Sequence, residues 1–293
     1  MSSSAPVFVR GLSRSGGTFL CTMLDAHPDL AISYELYPNM LLLPEGYDSS
    51  LFDEFLEALI RSASLKRVPS KCYPGTKYQT FFIRLERGGV SKAEAEQLVR
   101  QAIKRNLRFD SIDGCNNFVE MCCLVKMEKE NKVRWGAKMN NRIEQYLKCW
   151  PKSKCIDLVR DGRDVAASQI QLGTFGKSIE QIASAWANTH KRFLKFEDTH
   201  PRNIKVVKYE DLILDSQAKV EELCDFLEVE YSDRMINYHK EKLTLFKASH
   251  ISKSKVMNGI NSSSVGKWKK VLSEQQVEKF SETAGELIDF FGY

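Results

Sequence analysis

The sequence contains no long apolar run. Nothing in its 293 residues approaches the roughly 18 consecutive apolar residues that cross a bilayer. The segment from Met1 to Pro6 has neither the basic start nor the apolar core of a signal peptide. We therefore expect a soluble chain without a membrane segment, located in the cytoplasm, or in a lumen if it is a truncated part of a longer protein.

Patterns typical of metal sites and disulfide frameworks are also missing. The eight cysteines form no CxxC pair and have no zinc-like spacing with histidine. Their neighbours are mostly apolar, as in Leu20-Cys21 and Leu223-Cys224, which is typical of small buried residues. The sequence therefore predicts reduced, structural thiols and no metal site.

The charges form no block of one sign. The net charge is +5, and the basic residues are spread along the chain, so a nucleic acid polymer is not an expected partner. A small anionic ligand needs only a few converging cations. No internal repeat, low-complexity tract or long linker divides the chain, and its composition supports one substantial core. We predict a single domain over residues 1–293.

Three segments of the sequence are typical of a buried strand followed by a helix. They comprise strands at residues 6–10, 155–159 and 204–207, with helices at 18–24, 163–172 and 216–227. Strands that alternate with helices predict an α/β fold, in which helices flank a central parallel sheet.

A further helix is predicted at residues 178–196, where Trp186 and Phe193 recur at helical spacing as core residues. The less regular region 37–132 contains predicted helices at 51–63 and 92–107. These are helical insertions that offer loops for an acceptor.

The loop after the first strand predicts an anion-binding site. It reads Gly11-Leu12-Ser13-Arg14-Ser15-Gly16-Gly17-Thr18 and leads into a helix, whose N-terminal N–H groups attract anions. Its glycines and final threonine match the phosphate loop GxxxxGK[ST], so the domain is of the P-loop type. Gly17 replaces the lysine that contacts the β- and γ-phosphates of ATP, whereas Arg14 supplies a cation from within the loop.

Arg14 to Thr18, followed by His27-Pro28 and Glu35, resembles the 5'-phosphosulfate-binding segment of the sulfotransferases that use 3'-phosphoadenosine 5'-phosphosulfate (PAPS). Among these enzymes it is most similar to the tyrosylprotein, carbohydrate and bacterial sulfotransferases. Many members have Thr where this chain has Gly17, which removes one hydroxyl. The resemblance implies PAPS as co-substrate and 3',5'-bisphosphoadenosine (PAP) as product. It assigns donor binding to Arg14, Ser15, Gly16, Gly17 and Thr18.

The segment from Leu158 to Ser168 resembles the part of the same family that binds the 3'-phosphate. The matching positions are Arg160, at a strand end, and Ser168, on the following helix, so both side chains can turn toward a ligand. Asp161 reads as the helix cap. Arg163 and Asp164 read as a solvated charge pair.

Four further site residues follow from family order. Lys138, in the segment from Arg134, resembles the lysine that contacts the bridging oxygen of the donor, although Met139-Asn140 follows it here instead of the usual Thr-Pro or Asp-Pro. Tyr209 matches a tyrosine beside the nucleotide, and packing at a strand end remains the alternative for it. Lys267, in Gly266-Lys267-Trp268, matches the element that closes over the nucleotide. Ser252 matches by spacing a serine that assists transfer.

The resemblance implies in-line transfer of a sulfuryl group to an acceptor hydroxyl without a metal. Glu35 is the expected base, Lys138 stabilises the leaving phosphate, and Arg14 with the loop amides holds the sulfuryl oxygens. Peptide tyrosine, a sugar and a small molecule all stay open as acceptors. A homodimer is compatible with these features.

Two other functions compete with this interpretation. A P-loop kinase acting on a small molecule would lack its loop lysine at Gly17. A nucleotide-binding module without catalysis would tolerate the loss of Glu35 and Lys138, yet both are present.

Overall fold

The computed structural model describes residues 5–43, 52–64, 75–139, 143–173, 176–241, 243 and 256–293. No helix within these ranges is both long and apolar enough for a bilayer span. The predicted serine at position 252 lies outside the described residues, as does Cys72. Within the described ranges the other seven cysteines form no disulfide, and six of them are buried.

The strands form a five-stranded sheet with the order β2-β3-β1-β4-β5. Their bounds are β1 Val7–Arg10, β2 Leu30–Ser33, β3 Arg134–Lys138, β4 Lys154–Val159 and β5 Ile204–Lys208. Strand β2 pairs in parallel with β3, and β4 pairs in parallel with β5. Strands β1, β4 and β5 match the three predicted strands, and the predicted α/β fold with a parallel sheet is confirmed. Strands β2 and β3 were not predicted.

The chain divides into two compact units. The first comprises Met1–Val7, Leu24–Ser153 and Glu241–Lys253. The second comprises Phe8–Met23, Lys154–Lys240 and Ser254–Tyr293. The single domain over residues 1–293 stays a prediction.

The first unit combines β2 and β3 with a group of helices. Their bounds are α2 Phe52–Ala63, α3 Gly75–Arg87, α4 Lys92–Lys104, α5 Ile112–Lys129 and α6 Ile143–Cys149. Helices α2 and α4 agree with the predicted helices at 51–63 and 92–107, except that α4 ends at Lys104. Helix α4 begins at a capping box, in which Ser91 and Glu94 satisfy each other's backbone N–H groups.

A buried ion pair in this unit connects α5 to Asp25, the last residue of helix α1 Gly17–Asp25. The Lys126 Nζ lies 3.0 Å from an Asp25 carboxylate oxygen, and both side chains are 1% exposed. The same carboxylate accepts the N–H of Ile32 at 2.7 Å. Asp25 therefore links α5 to β2, whose end leads into Glu35.

The second unit carries the helices that follow β1, β4 and β5. They are α1 Gly17–Asp25, whose last two residues belong to the first unit, α7 Gly162–Leu172, α8 Ile179–Thr199, α9 Tyr209–Leu214, α10 Ser216–Leu227 and α11 Glu274–Phe290. The core predicted for α8 is confirmed, because Trp186 and Phe193 are buried and Trp186 packs on Phe280 of α11. A Cβ on Gly162 would lie 2.4 Å from the Phe280 ring, so only glycine fits at the start of α7.

Three polar side chains are buried together where β1, β4 and α8 meet. Arg10 pairs with one oxygen of Asp157, and the other oxygen lies 2.9 Å from the Nδ1 of His190. The Arg10 guanidinium also lies 4.0 Å from the centroid of the Phe193 ring. Burial opposes ionisation of Asp157, but the charges of Arg10 and His190 outweigh it, and the pKa of this carboxyl is lowered.

Candidate functional site

The loop between β1 and α1 has the backbone of a tight anion cradle. Arg14 has a φ of 78° and Gly16 a φ of 94°, both in the left-handed region. A Cβ on Gly16 would lie 2.5 Å from the ring of Tyr209, which is 8% exposed. Tyr209 packs in turn edge-to-face on Phe19, with ring centroids 5.8 Å apart. The loop shape thus depends on close contact between Gly16 and Tyr209.

Ser15 is fully buried in this loop. Its N–H donates to the Leu12 carbonyl at 3.0 Å. Its hydroxyl has no hydrogen-bond partner among the described residues. An unpaired buried hydroxyl is unfavourable unless something else binds it, so this atom is a candidate ligand contact.

One hydrogen-bond network joins the two segments that were predicted to bind opposite ends of a nucleotide. The Arg14 Nε donates to the Ser168 hydroxyl at 2.9 Å, and Arg160 donates to the Arg14 carbonyl at 3.0 Å. The Arg160 guanidinium lies 5.0 Å from the centroid of the Tyr209 ring. The Arg160 Nε is buried and has no partner within the described part of the chain. The structure therefore brings together Arg14, Ser168, Arg160 and Tyr209 in the second unit.

Asp164 does not form the solvated charge pair with Arg163 that the sequence predicts. Its carboxylate is buried and accepts the N–H groups of Gly266 and Trp268, each at 2.8 Å. Arg163 instead pairs with Asp161 at 2.9 Å. The predicted pair is wrong because adjacent helix residues point to different faces. The predicted cap is confirmed, since Asp161 accepts the Arg163 N–H at 2.9 Å.

Residues 264–268, here called the strap, are attached to α7 by these contacts. Besides the Asp164 bonds, Arg160 donates a short hydrogen bond to the Ser264 carbonyl. The Lys267 Nζ donates to Gln171 on α7 at 2.8 Å. The phosphate contact predicted for Lys267 stays a prediction. Asp164 and Ser264 were missed, because neither has a signal in the sequence beyond its position near a motif.

A second cluster lies in the first unit, at the ends of β2 and β3. These strands pair in parallel with Ser33 opposite Ala137, so the residues that follow meet at one edge. The Lys138 Nζ lies 2.9 Å from the Glu35 Oε1. Lys138 is 8% and Glu35 21% exposed at the side chain. The structure thus brings together the two predicted catalytic residues of this unit.

Arg84 of α3 completes this cluster and was missed. Its Nη2 lies 3.2 Å from the Glu35 Oε2, and its Nη1 donates to the Glu35 carbonyl at 3.1 Å. Tyr34 also contributes, because the Lys138 Nζ lies 5.0 Å from its ring centroid. One arginine on an amphipathic helix is the ordinary surface pattern, so the sequence contains no signal for Arg84.

Burial and the charges of this cluster shift the pKa values of two side chains. Burial raises the pKa of Glu35, but Lys138 and Arg84, with hydrogen bonds from Lys138 and Tyr34, outweigh burial, so the pKa is lowered. Burial raises the pKa of Tyr37 to about 12. Glu35 is therefore ionised at neutral pH.

Residues 6–233 match the model of a family described as the sulfotransferase family. The chain belongs to the sulfotransferase family. This confirms the resemblance to the PAPS-dependent superfamily and the prediction that the chain is an enzyme of this class. The kinase and the non-catalytic module are not favoured.

Curated relatives of this sulfotransferase include two proteins from invertebrates. A Caenorhabditis briggsae protein, described as a candidate protein-tyrosine sulfotransferase, is 23% identical over 98% of the chain and 88% of its own length. The protein-tyrosine sulfotransferase of Drosophila melanogaster is 21% identical over 98% of the chain. The chain spans only 51% of that Drosophila protein.

Solved structures with a similar fold include two bacterial sulfotransferase domains. The domain from the Synechococcus PCC 7002 olefin synthase has a TM-score of 0.64 and 19% identity, and the match covers 100% of this chain and 97% of that one. The domain from the curacin biosynthetic pathway has a TM-score of 0.60 and 18% identity, with 95% and 96% covered. Because these identities are below 25%, the likeness shows only that this chain shares the fold of those domains.

Proposed function

We propose that this sulfotransferase moves the sulfuryl group of PAPS to the hydroxyl of a peptide tyrosine. The observation that carries the donor assignment is the network of Arg14, Ser168 and Arg160. Two buried polar atoms of the same segments, the Ser15 Oγ and the Arg160 Nε, have no hydrogen-bond partner among the described residues. Unpaired buried donors suit an anionic ligand, whose oxygens accept hydrogen bonds.

The residues of the loop fit the phosphosulfate end of the donor. Arg14 to Thr18 would hold it through the loop amides, the Ser15 hydroxyl and the N-terminus of α1. Arg160 and Ser168 would bind the 3'-phosphate, because a planar guanidinium and a hydroxyl both donate to phosphate oxygens. Lys267 and Tyr209 are further proposed contacts of the nucleotide. Ser252 remains a proposed catalytic residue.

When bound, PAPS supplies the sulfuryl group, whose bond to the 5'-phosphate oxygen breaks as a new bond to the acceptor oxygen forms. Glu35 would accept the proton of the acceptor hydroxyl. Lys138 would stabilise the charge that develops on the departing phosphate, and Arg14 would stabilise the sulfuryl oxygens.

Two observations support tyrosine as the acceptor. Curated relatives that cover nearly all of the chain are named for tyrosine sulfation. The lowered pKa of Glu35 makes it a weak base. A tyrosine hydroxyl, with a pKa of about 10, loses its proton to a weak base more readily than an aliphatic hydroxyl does.

The donor is tested by thermal shift. PAP at sub-millimolar concentration should raise the melting temperature, and ATP with Mg²⁺ should raise it less, because stabilisation grows with the ratio of ligand concentration to Kd. Equal or greater stabilisation by ATP would contradict the donor assignment.

The base is tested by Glu35→Gln. This variant should lose transfer while keeping the thermal shift with PAP, since the amide keeps the shape of the side chain but accepts no proton. Retained turnover would exclude Glu35 as the base.

The acceptor is tested by mass spectrometry of products formed with PAPS. Peptides that contain tyrosine, the same peptides with phenylalanine, simple sugars and small phenols form the panel. Sulfation of a sugar without any sulfation of tyrosine would overturn the acceptor assignment and leave the donor assignment intact.

A further inference from the structure

Arg84 contacts Glu35 at both its side chain and its main chain. The Nη2 lies 3.2 Å from the Oε2 of the carboxylate, and the Nη1 donates to the Glu35 carbonyl at 3.1 Å. The other carboxylate oxygen, Oε1, accepts from Lys138 at 2.9 Å. Arg84 and Lys138 therefore approach different oxygens of one carboxylate.

The same guanidinium also contacts the chain that follows Glu35. It lies 5.1 Å from the centroid of the Tyr37 ring, and its Nη1 lies 3.6 Å from the Met40 sulfur. Residues 38–40 form a single 3₁₀ turn, so this segment has little regular structure of its own. Arg84 links the segment from Glu35 to Met40 to helix α3.

Glu35 has a backbone conformation that needs such support. Its φ is 54°, in the left-handed region that residues other than glycine adopt at a cost. Strained backbone at a functional residue persists only where the surrounding contacts impose it. The hydrogen bond from Arg84 to the Glu35 carbonyl is a contact of this kind.

We propose that Arg84 is a positioning residue that fixes both the backbone and the carboxylate of Glu35 for proton transfer. This inference rests on the proposed role of Glu35 as the base. Arg84 itself exchanges no proton in the reaction. Its planar fork spans a carbonyl and a carboxylate at once, which the single ammonium of a lysine does not reproduce.

The charge of Arg84 has a separate consequence for acidity. It is one of the two cations that lower the pKa of Glu35. Loss of this charge should raise the pKa of Glu35, so that the low-pH limb of the activity profile moves to higher pH.

The test compares Arg84→Gln and Arg84→Lys with the control Arg87→Gln, which makes the same change on the same helix. Arg84→Gln should lower kcat by about 100-fold, because a misplacement of about 1 Å is enough for such a loss. It should move the low-pH limb upward and leave the thermal shift with PAP unchanged. Arg84→Lys should keep the limb near its original pH and still lose kcat. The control should resemble the wild type in all three measurements.

A second measurement does not depend on activity. The ¹³C signal of the Glu35 carboxyl, assigned by its absence in Glu35→Gln, should titrate at higher pH in Arg84→Gln than in the wild type. An unchanged titration, or a kcat within twofold of the wild type, would overturn the inference. If thermal shift with PAP and kcat fall together in both Arg84 variants, Arg84 serves general folding and the inference also fails.

The inference and the proposed function fail in different ways. Retained turnover in Glu35→Gln excludes Glu35 as the base, and the inference about Arg84 then fails with it. If Glu35→Gln is inactive but the Arg84 variants turn over at the wild-type rate, only the positioning role of Arg84 is excluded.

Discussion

The Nε of Arg14 donates a hydrogen bond to the hydroxyl of Ser168 at 2.9 Å, across 154 positions of sequence. Arg14 lies in the loop before α1, and Ser168 lies on α7. The first belongs to the segment predicted to bind a 5'-phosphosulfate and the second to the segment predicted to bind a 3'-phosphate. The contact shows that one unit of the fold holds both segments together in the described residues.

The first prediction concerns the buried hydroxyl of Ser15. Ser15→Ala should leave the free energy of unfolding unchanged within ~1 kcal/mol or raise it, because the hydroxyl has no partner among the described residues. The same change should weaken PAP binding by roughly 10- to 100-fold, since a hydrogen bond to a charged group contributes about 1.5–3 kcal/mol.

Urea unfolding and isothermal titration with PAP measure the two effects. Ser13→Ala in the same loop is the control, because Ser13 is exposed. A clear loss of stability in Ser15→Ala together with unchanged PAP affinity would show that the hydroxyl serves the fold and not the ligand.

The second prediction concerns the contact between Gly16 and Tyr209. Gly16→Ala combines a positive φ with a Cβ placed 2.5 Å from the Tyr209 ring. Gly173→Ala has the positive φ alone, as no atom lies within 4 Å of its Cβ. Gly173→Ala, the control, should therefore lose about 1–2 kcal/mol of stability, and Gly16→Ala should lose distinctly more.

A double variant separates the two causes. Tyr209→Ala removes the ring, so the combined variant should lose less stability than the sum of the single changes. Equal losses for Gly16→Ala and Gly173→Ala, measured by denaturant unfolding, would show that the loop accommodates the methyl group.

The third prediction concerns the attachment of the strap by Asp164. Both carboxylate oxygens accept backbone N–H groups, from Gly266 and Trp268. In Asp164→Asn the amide nitrogen is a donor and would face one of these N–H groups. We expect a loss of roughly 1–3 kcal/mol and faster hydrogen exchange at the two amides.

Hydrogen exchange followed by mass spectrometry reports on the strap directly. Asp198→Asn, on the exposed surface of α8, is the control and should leave the exchange of the strap unchanged. Unaltered protection of the strap in Asp164→Asn would mean that other contacts hold it.

The fourth prediction concerns the pH dependence of stability at Asp157. Although burial opposes its ionisation, Arg10 and His190 lower the pKa of this carboxyl in the folded chain. Its contribution is therefore present above the unfolded pKa of about 4 and is lost as the pH falls through the folded value. Asp157→Asn breaks the buried pair and should lose about 3–5 kcal/mol at pH 7.

The difference between the wild type and Asp157→Asn should shrink as the pH falls below about 4, because the carboxyl of the unfolded wild type then takes up a proton while the folded one is still ionised. Urea unfolding of both proteins between pH 3 and pH 7 measures it. A difference that stays constant over this range would show that charge at Asp157 does not stabilise the fold.

Local sequence predicted the features that depend on neighbouring residues. The strand, loop and helix from β1 to α1 follow from an apolar run, a Gly-rich turn and a second apolar run. The Asp161 cap follows from its place before α7. Family order predicted Glu35 and Lys138, which the fold brings into an ion pair.

The contacts that the sequence did not predict join residues far apart in the chain. Arg84 meets Glu35 across 49 positions, and Asp164 meets Trp268 across 104. No periodic pattern or short motif predicts either contact, so each side chain resembles an ordinary surface charge until the chain is folded. The error at Arg163 and Asp164 arose because two adjacent opposite charges look like a pair, whereas the helix directs them to different partners.

By itself the sequence determined the alternation of strands and helices, the glycines of the anion loop and the family to which the chain belongs. These features rest on short-range geometry, in which residues a few positions apart share a turn or a helix face. Only the tertiary structure decided that Arg84 holds Glu35, that Asp164 holds the strap, and that Ser15 is buried with its hydroxyl unpaired. Those outcomes depend on which distant elements pack together, because burial and pairing are properties of the folded chain.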